Sequence, residues 1–345
     1  MTTRTGGDGV LRYASTNYLY YTEIYLSIIY QYMPRTHKAR GGTRKDNKKK
    51  PKNSKKNNKT RVKRKKNPLK CAPKSSNNQF SCYSNAQLFE LKRAWNQSKL
   101  PKITTNNPHG IWLFLRDKYK DTCGKESCWL KDANMAENVK KRIIKHAFAP
   151  RAPAEWNNNP NTWLSSTDIV KVMEQYEYAY PHFRFIGPSP IDFDKKLAFN
   201  QCVWNDLCNI DISQLLQNNK SILGMIFNLD PHYKDGSHWV SMLFNLSTGE
   251  IYYFDSVGEK IPPQIKRLQK SIEEQSGRLK LKTHFDQLYP TVEHQMRNTE
   301  CGMYSLYFII MMLTGEKKWS DFKTTARITD DEMEKFRKVF FNQEL

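Results

Sequence analysis

Residues 301–315 read CGMYSLYFIIMMLTG, a run with no polar face, opened by a cysteine and closed by a glycine. The pattern predicts a helix stopped at Gly315, and a helix that is apolar all round has to be covered all round. It is too short to cross a bilayer, which takes about 20 apolar residues. The chain must therefore supply other elements to pack around it, and at 345 residues it is long enough to do so.

The covering elements are visible nearby. SILGMIFNL (221–229) and HWVSMLFNL (238–246) are continuous apolar runs, the texture of strands buried on both faces. The second passes through STGE into EIYYFDS, which predicts a hairpin. Ser165 or Ser166 caps a helix with Ile169, Val172, Met173 and Tyr176 on one face. A further helix is expected after Pro262 and Pro263, then a strand in LKLKTHF. The expected fold class is α+β: a mixed, mostly antiparallel sheet packed against helices, the buried Cys301 helix among them, over residues 151–345. Upstream, SNAQLFELKRAW carries Ser84 and Gln87 at capping-box spacing. With GIWLFLRDKY and a stretch from about Asn134 to His146, it predicts a small helical domain over residues 79–150.

Charge is concentrated elsewhere. The chain has 56 Lys and Arg against 34 Asp and Glu, a formal charge of +22. Residues 38–74 alone hold 18 of those cations and one acid, Asp46. With almost no apolar side chains, residues 38–78 are expected to form a disordered arm. Such an arm attracts nucleic acid without sequence preference, or an acidic protein surface; a solvating tail or localisation signal is the plainer reading. No aromatic residues are interleaved to stack on bases. Residues 1–37 contain a Tyr-rich stretch, 18–33, too short and too polar at Glu23 for stable membrane insertion, and Met33 is an alternative start. The seven cysteines, an odd number without dense even spacing, argue against a secreted disulfide scaffold and for a reducing compartment in which any single cysteine is free to react. Cys123 and Cys128 make a weak metal signal and read as small buried residues.

Three polar residues stand at the ends of apolar elements, and a fourth lies nearby: His238 opens a strand, Asp255 closes the next, Cys301 begins the apolar helix and Gln295 lies six residues before it. Singly, each has an ordinary structural explanation. Together they differ, because a hairpin brings His238 and Asp255 to its same end. A helix N-terminus and a nearby imidazolium both favour a thiolate, and a carboxylate on the far ring nitrogen sets the tautomer. The Gln295 amide and the Cys301 backbone N–H are candidate oxyanion donors. His232, in the polar loop before His238, is a second imidazole without such a position.

These strings, HWVSMLFNLSTGEIYYFDS and QMRNTECGMYSLYF, resemble the ubiquitin-like-protein (SUMO-specific) protease superfamily, which also includes the adenovirus maturation protease and polyprotein proteases of large DNA viruses. The helical region around SCYSNAQLFELKRAWN is similar to the N-terminal arms of the African swine fever-like and giant-virus enzymes. The resemblance implies a Cys301–His238–Asp255 triad with Gln295, no metal and no other cofactor. It also implies a narrow slot walled by Trp163 and Trp239, with Gly302 letting a substrate backbone come close. By the same resemblance the substrates are Gly-Gly-containing viral structural precursors, cut during maturation in the virion or the cytoplasmic viral factory. Removal of ubiquitin-like proteins from host proteins, and an inactive nucleic-acid-binding virion protein, are the alternatives; a thioester acetyltransferase finds no acyl-CoA site. Oligomeric state stays open. The chain's own Gly-Gly pairs, at 6–7 and 41–42, precede the helical region, and cleavage after Gly42 in trans is expected to trim the N-terminus.

Overall fold

The computed structural model describes residues 69–74, 80–289, 292–343 and 345. The Tyr-rich segment, both Gly-Gly pairs and the arm as far as residue 68 lie outside the described residues. The described residues form one compact unit. At its centre is a five-stranded sheet, β1 (Phe183–Pro190), β2 (Ile222–Asn228), β3 (Trp239–Asn245), β4 (Glu250–Phe254) and β5 (His284–Gln287), with spatial order following chain order. β2–β3 and β3–β4 are antiparallel, while β1–β2 and β4–β5 are parallel. The sheet is thus mixed, with its antiparallel pairings confined to the middle. Both outer strands are reached through connections containing helices, which is what a parallel neighbour requires. β1 has no counterpart among the elements expected from sequence, because Gly187 and Pro188 interrupt it at a register shift between Ile186 and Ser189. β5 begins at His284, later than the LKLKTHF run suggested.

Side-chain alternation divides the core into two layers. On one face Phe183, Ile226, Leu243, Tyr252 and Phe254 pack with the helix Cys301–Thr314, the helix Ser166–Ala179 and the C-terminal helix Asp330–Phe340. On the other, Leu223, Met225, Phe227, Val240, Met242, Phe244, Ile251 and Tyr253 pack against the helices Ile212–Gln217 and Pro263–Arg278. Burial of both faces explains why the strands read as continuous apolar runs. From Cys301 to Met311 every residue of the central helix is buried, and Gly315, at φ +74°, ends it as expected. Ser165 rather than Ser166 is the cap of its helix, in a capping box with Asp168. The helix comes close to the sheet at Gly224, where a Cβ would lie 2.8 Å from Phe183 and 3.0 Å from Ile309.

Helices Asn85–Ser98, Pro108–Tyr119, Glu126–Trp129 and Glu137–Ala147 enclose a third apolar cluster. It is joined to the sheet-bearing part by Gln175, whose amide donates to the carbonyls of Lys145 and Phe148 at 2.6 and 2.8 Å. Asn342 adds a second tie: its amide nitrogen donates to Lys70 and Ala149 carbonyls, and its oxygen accepts from the Lys70 N–H. Residues 69–74 are therefore ordered, correcting the expectation of a disordered arm to residue 78; Ala72 N–H also donates to the Ala147 carbonyl. The cysteine reading is corrected as well. Cys71 is bonded to Cys82, Cys123 to Cys128 and Cys202 to Cys208, each through a short local loop, and Cys301 alone is free. Among the described residues no helix is long and apolar enough to cross a membrane.

Gly224→Val should force Phe183 or the central helix outward, lowering stability by about 1–3 kcal/mol in chemical denaturation and reducing activity at temperatures where the protein remains folded.

Candidate active site

The hairpin β3–β4 places its two outer ends together, so His238, just before Trp239, faces Asp255, just after Phe254. His238 Nε2–H donates to Asp255 Oδ1 at 2.7 Å. Asp255 is buried, and the same oxygen accepts from the Val257 N–H at 3.0 Å, which fixes the carboxylate against the turn. With Nε2 so engaged, Nδ1 is left for the sulfur of Cys301, the other hydrogen-bond partner of the ring. Burial by itself would lower the His238 pKa. The hydrogen bonds to Asp255 and Cys301, and the charge of both, outweigh it and raise the value from 6.5 to about 10. The ring is thus an imidazolium at neutral pH.

Cys301 is the first residue of the central helix, and its N–H lies outside the helical ladder. It is only 1% exposed. Gln295 is brought close by Ser256, the residue after Asp255. The Ser256 carbonyl accepts from the N–H groups of His294 and Gln295, both at 2.8 Å, and its hydroxyl donates to Gln295 Oε1 at 2.7 Å. The amide nitrogen of Gln295 donates to the Arg297 carbonyl, leaving its second N–H for another acceptor. The loop is held from below: Asp330 Oδ2 accepts from the Met296 and Arg297 N–H groups, and the Tyr304 hydroxyl reaches the carbonyls of His294 and Ile328.

Trp239 is buried, and its indole N–H donates to the Leu164 carbonyl at 3.1 Å. Trp163, one residue earlier, is 41% exposed. The two tryptophans therefore differ in kind: one anchors the 163–164 segment and the other is offered to solvent. A Cβ on Gly302 would sit 3.1 Å from Leu164 and 3.2 Å from Trp239. Glycine at that position allows close internal packing of the helix against Leu164 and Trp239. His232 is drawn away from the cluster: its backbone N–H and Nδ1 both engage Asp192, at 2.8 and 2.7 Å. Among the described residues no group of three or more His, Cys, Asp or Glu is placed to hold a metal ion.

Sequence reasoning missed the supporting set. Ser256, Tyr304 and Asp330 act through backbone groups, which leave no spacing signal. Glu300 and Arg337 are both buried and ion-paired at 2.8 Å, 37 residues apart. A charged residue next to the start of an apolar helix was the one cue to Glu300.

A family model for the Ulp1 protease family, C-terminal catalytic domain, matches residues 213–344, a span containing His238, Asp255, Gln295 and Cys301. A protein of Acanthamoeba polyphaga mimivirus bearing a thiol-protease name is 31% identical over 297 residues, covering 79% of this chain and 93% of its own. A SUMO-1 cysteine protease of African swine fever virus, from a Kenyan pig isolate, is 27% identical over 242 residues, covering 66% of this chain and 86% of its own. The crystal structure of the African swine fever virus protease shares the fold, with a TM-score of 0.56 at 22% identity over 80% of this chain and 97% of that one. The chain belongs to the Ulp1 family of cysteine proteases, and these relatives are viral.

The raised His238 pKa makes the ion pair's contribution to stability complete below about 6.5, lost as pH rises through about 10. NMR of the imidazole should show titration near 10 in the wild type, falling toward 6.5 in Asp255→Asn. An unshifted titration in that variant would contradict the assigned partner.

Proposed function

We propose that the protein is a thiol endopeptidase that cleaves after Gly-Gly in viral structural precursor proteins during virion maturation. Cys301 is the nucleophile, His238 its proton partner, Asp255 the orienting carboxylate, and Gln295 with the Cys301 N–H the oxyanion donors. The observation that carries the reading is the His238 ring, hydrogen-bonded on one side to Asp255 and on the other to the free thiol.

The sulfur attacks the scissile carbonyl carbon while its proton resides on His238, and the carbonyl oxygen takes the negative charge. The donors at the helix start and Gln295 stabilise that charge more than they stabilise the ground-state carbonyl. His238 passes its proton to the departing amine, leaving a thioester on Cys301. Water, deprotonated by His238, then attacks the thioester, the carboxyl product leaves, and the thiolate and imidazolium are restored. Asp255 keeps Nδ1 aimed at the sulfur throughout, and no metal is required.

Access supports glycine selectivity. Cys301 shows almost no surface, Leu164 and Trp239 fill the space beside Gly302, and Trp163 stands at the outer edge. A chain without side chains ahead of the cleaved bond passes where a bulky residue would meet indole. The viral relatives support precursor processing, in the virion or the cytoplasmic factory; residues 38–74 then serve as an electrostatic tether to nucleic acid. The SUMO-1 protease names of the African swine fever virus relatives favour one second reading, deconjugation of ubiquitin-like proteins, whose tails enter the same slot.

Gly-Gly-Xaa peptides and ubiquitin-like fusions, offered side by side, separate these readings. Cutting of the peptides and sparing of the fusions is expected, with activity abolished in Cys301→Ala and by thiol alkylation. Gln295→Ala should lower kcat by about 10²–10³. Cleavage that survives in Cys301→Ala would sink the proposal, and preference for the fusions would favour deconjugation. Deleting residues 38–68 should flatten the salt dependence of DNA binding, measured by fluorescence anisotropy; an unchanged slope would remove the tether.

A further inference from the structure

One guanidinium ties together segments on both sides of the site. Arg337, on the C-terminal helix, is 4% exposed, and its partner Glu300, immediately before Cys301, is fully buried. Arg337 Nε donates to Glu300 Oε2 at 2.8 Å, Nη2 donates to the Thr299 carbonyl at 3.2 Å, and Nη1 donates to the Thr162 carbonyl at 2.9 Å. The guanidinium also lies over the Trp156 ring, 4.6 Å from its centroid. Glu300 is engaged on its other oxygen by the Thr299 hydroxyl at 3.0 Å, and its carbonyl accepts the Tyr304 N–H that starts the helix.

A buried ion pair is weak evidence for stability, since a well-packed apolar pair does as well. Its geometry here does something an apolar pair does not. Thr162 precedes Trp163 and Leu164, the segment whose second carbonyl is held by Trp239. Arg337 therefore pins the same segment from the opposite side while fixing the residues that lead into Cys301. It also neutralises the carboxylate of the residue that precedes Cys301, whose unpaired negative charge would oppose a thiolate.

We propose that Arg337 is a positioning residue with two separable effects: it sets the spacing between Cys301 and the Trp163 wall, and it cancels the charge of Glu300 beside the nucleophile. The inference rests on the assignment of Cys301 and Trp163 proposed above.

The test compares wild type, Arg337→Met, Arg337→Lys and the double variant Glu300→Gln/Arg337→Met. For each, thermal midpoint, the pH profile of iodoacetamide alkylation of Cys301, and kcat and KM on a Gly-Gly-Xaa peptide are measured. Arg337→Met should slow alkylation about tenfold on the acid limb of the profile, the size of a one-unit effect from a neighbouring charge. The double variant should regain the wild-type alkylation rate yet keep a lowered kcat and a raised KM, because the Thr162 carbonyl stays untethered. Arg337→Lys, which keeps the charge without the planar fork, should alkylate normally and share the kinetic defect. Should Arg337→Met fail to fold, the double variant, with no unpaired buried charge, and Arg337→Lys carry the comparison. Full recovery of kcat/KM in the double variant would overturn the spacing role, and unchanged alkylation in folded Arg337→Met would overturn the charge role. Wild-type enzyme that stays active after Cys301 is alkylated would instead overturn the nucleophile assignment and leave Arg337 aside.

Discussion

Burying a helix that is apolar on every side governs the rest of this structure. The helix Cys301–Thr314 needs sheet on one side and helices on the others, and it receives both. Its start then falls inside the protein, where unpaired N–H groups and the positive end of the helix dipole face a water-poor interior. Polar groups gather around that end, with Arg337 paired to Glu300 and Asp330 holding the backbone of Met296 and Arg297. The thiol sits at the boundary between the apolar helix and this polar cap. Gly224 and Gly302 allow the approach, one against the sheet and the other against Leu164 and Trp239.

The charge state of His238 follows from competition at that boundary. Removing an imidazolium from water disfavours it, and an isolated ring at this depth would be neutral. Asp255 on one nitrogen and Cys301 on the other reverse the outcome. Asp255 is in turn immobilised by the turn at Val257, and the adjoining Ser256 carries the loop of Gln295. A single dipeptide at the end of β4 thereby couples the ring's orientation to the placement of the amide.

Much of this is legible in the sequence, for identifiable reasons. Apolar runs and caps announce β2, β3, β4 and the central helix, because burial and capping act locally on residue type. His238, Asp255 and Cys301 stand out because each ends an apolar element, and Gln295 because it lies six residues before Cys301. Other features are set by distant partners. β1 is hidden by Pro188, which its register shift accommodates, and the parallel outer strands depend on crossovers that no local pattern specifies. The order of residues 69–74 depends on Asn342, 272 positions away from Lys70. Cysteine spacing misled, since loops of 11 residues or fewer bring three pairs together and leave only Cys301 unpaired. The packing of Gly302 against Leu164 and Trp239 likewise depends on residues far away in the chain.

The tie made by Asn342 bears on when the protein becomes competent as it is synthesised. Residue 342 completes contacts to residues 70 and 149, and Arg337 completes contacts to residues 162 and 299–300. Translation proceeds from the N-terminus, so a ribosome-bound chain presents Cys301 and the hairpin before these clasps emerge. During that interval the thiol belongs to an unassembled centre. The contacts to residues 70, 149, 162 and 299–300 thus close last, once the helix Asp330–Phe340 and Asn342 have been made.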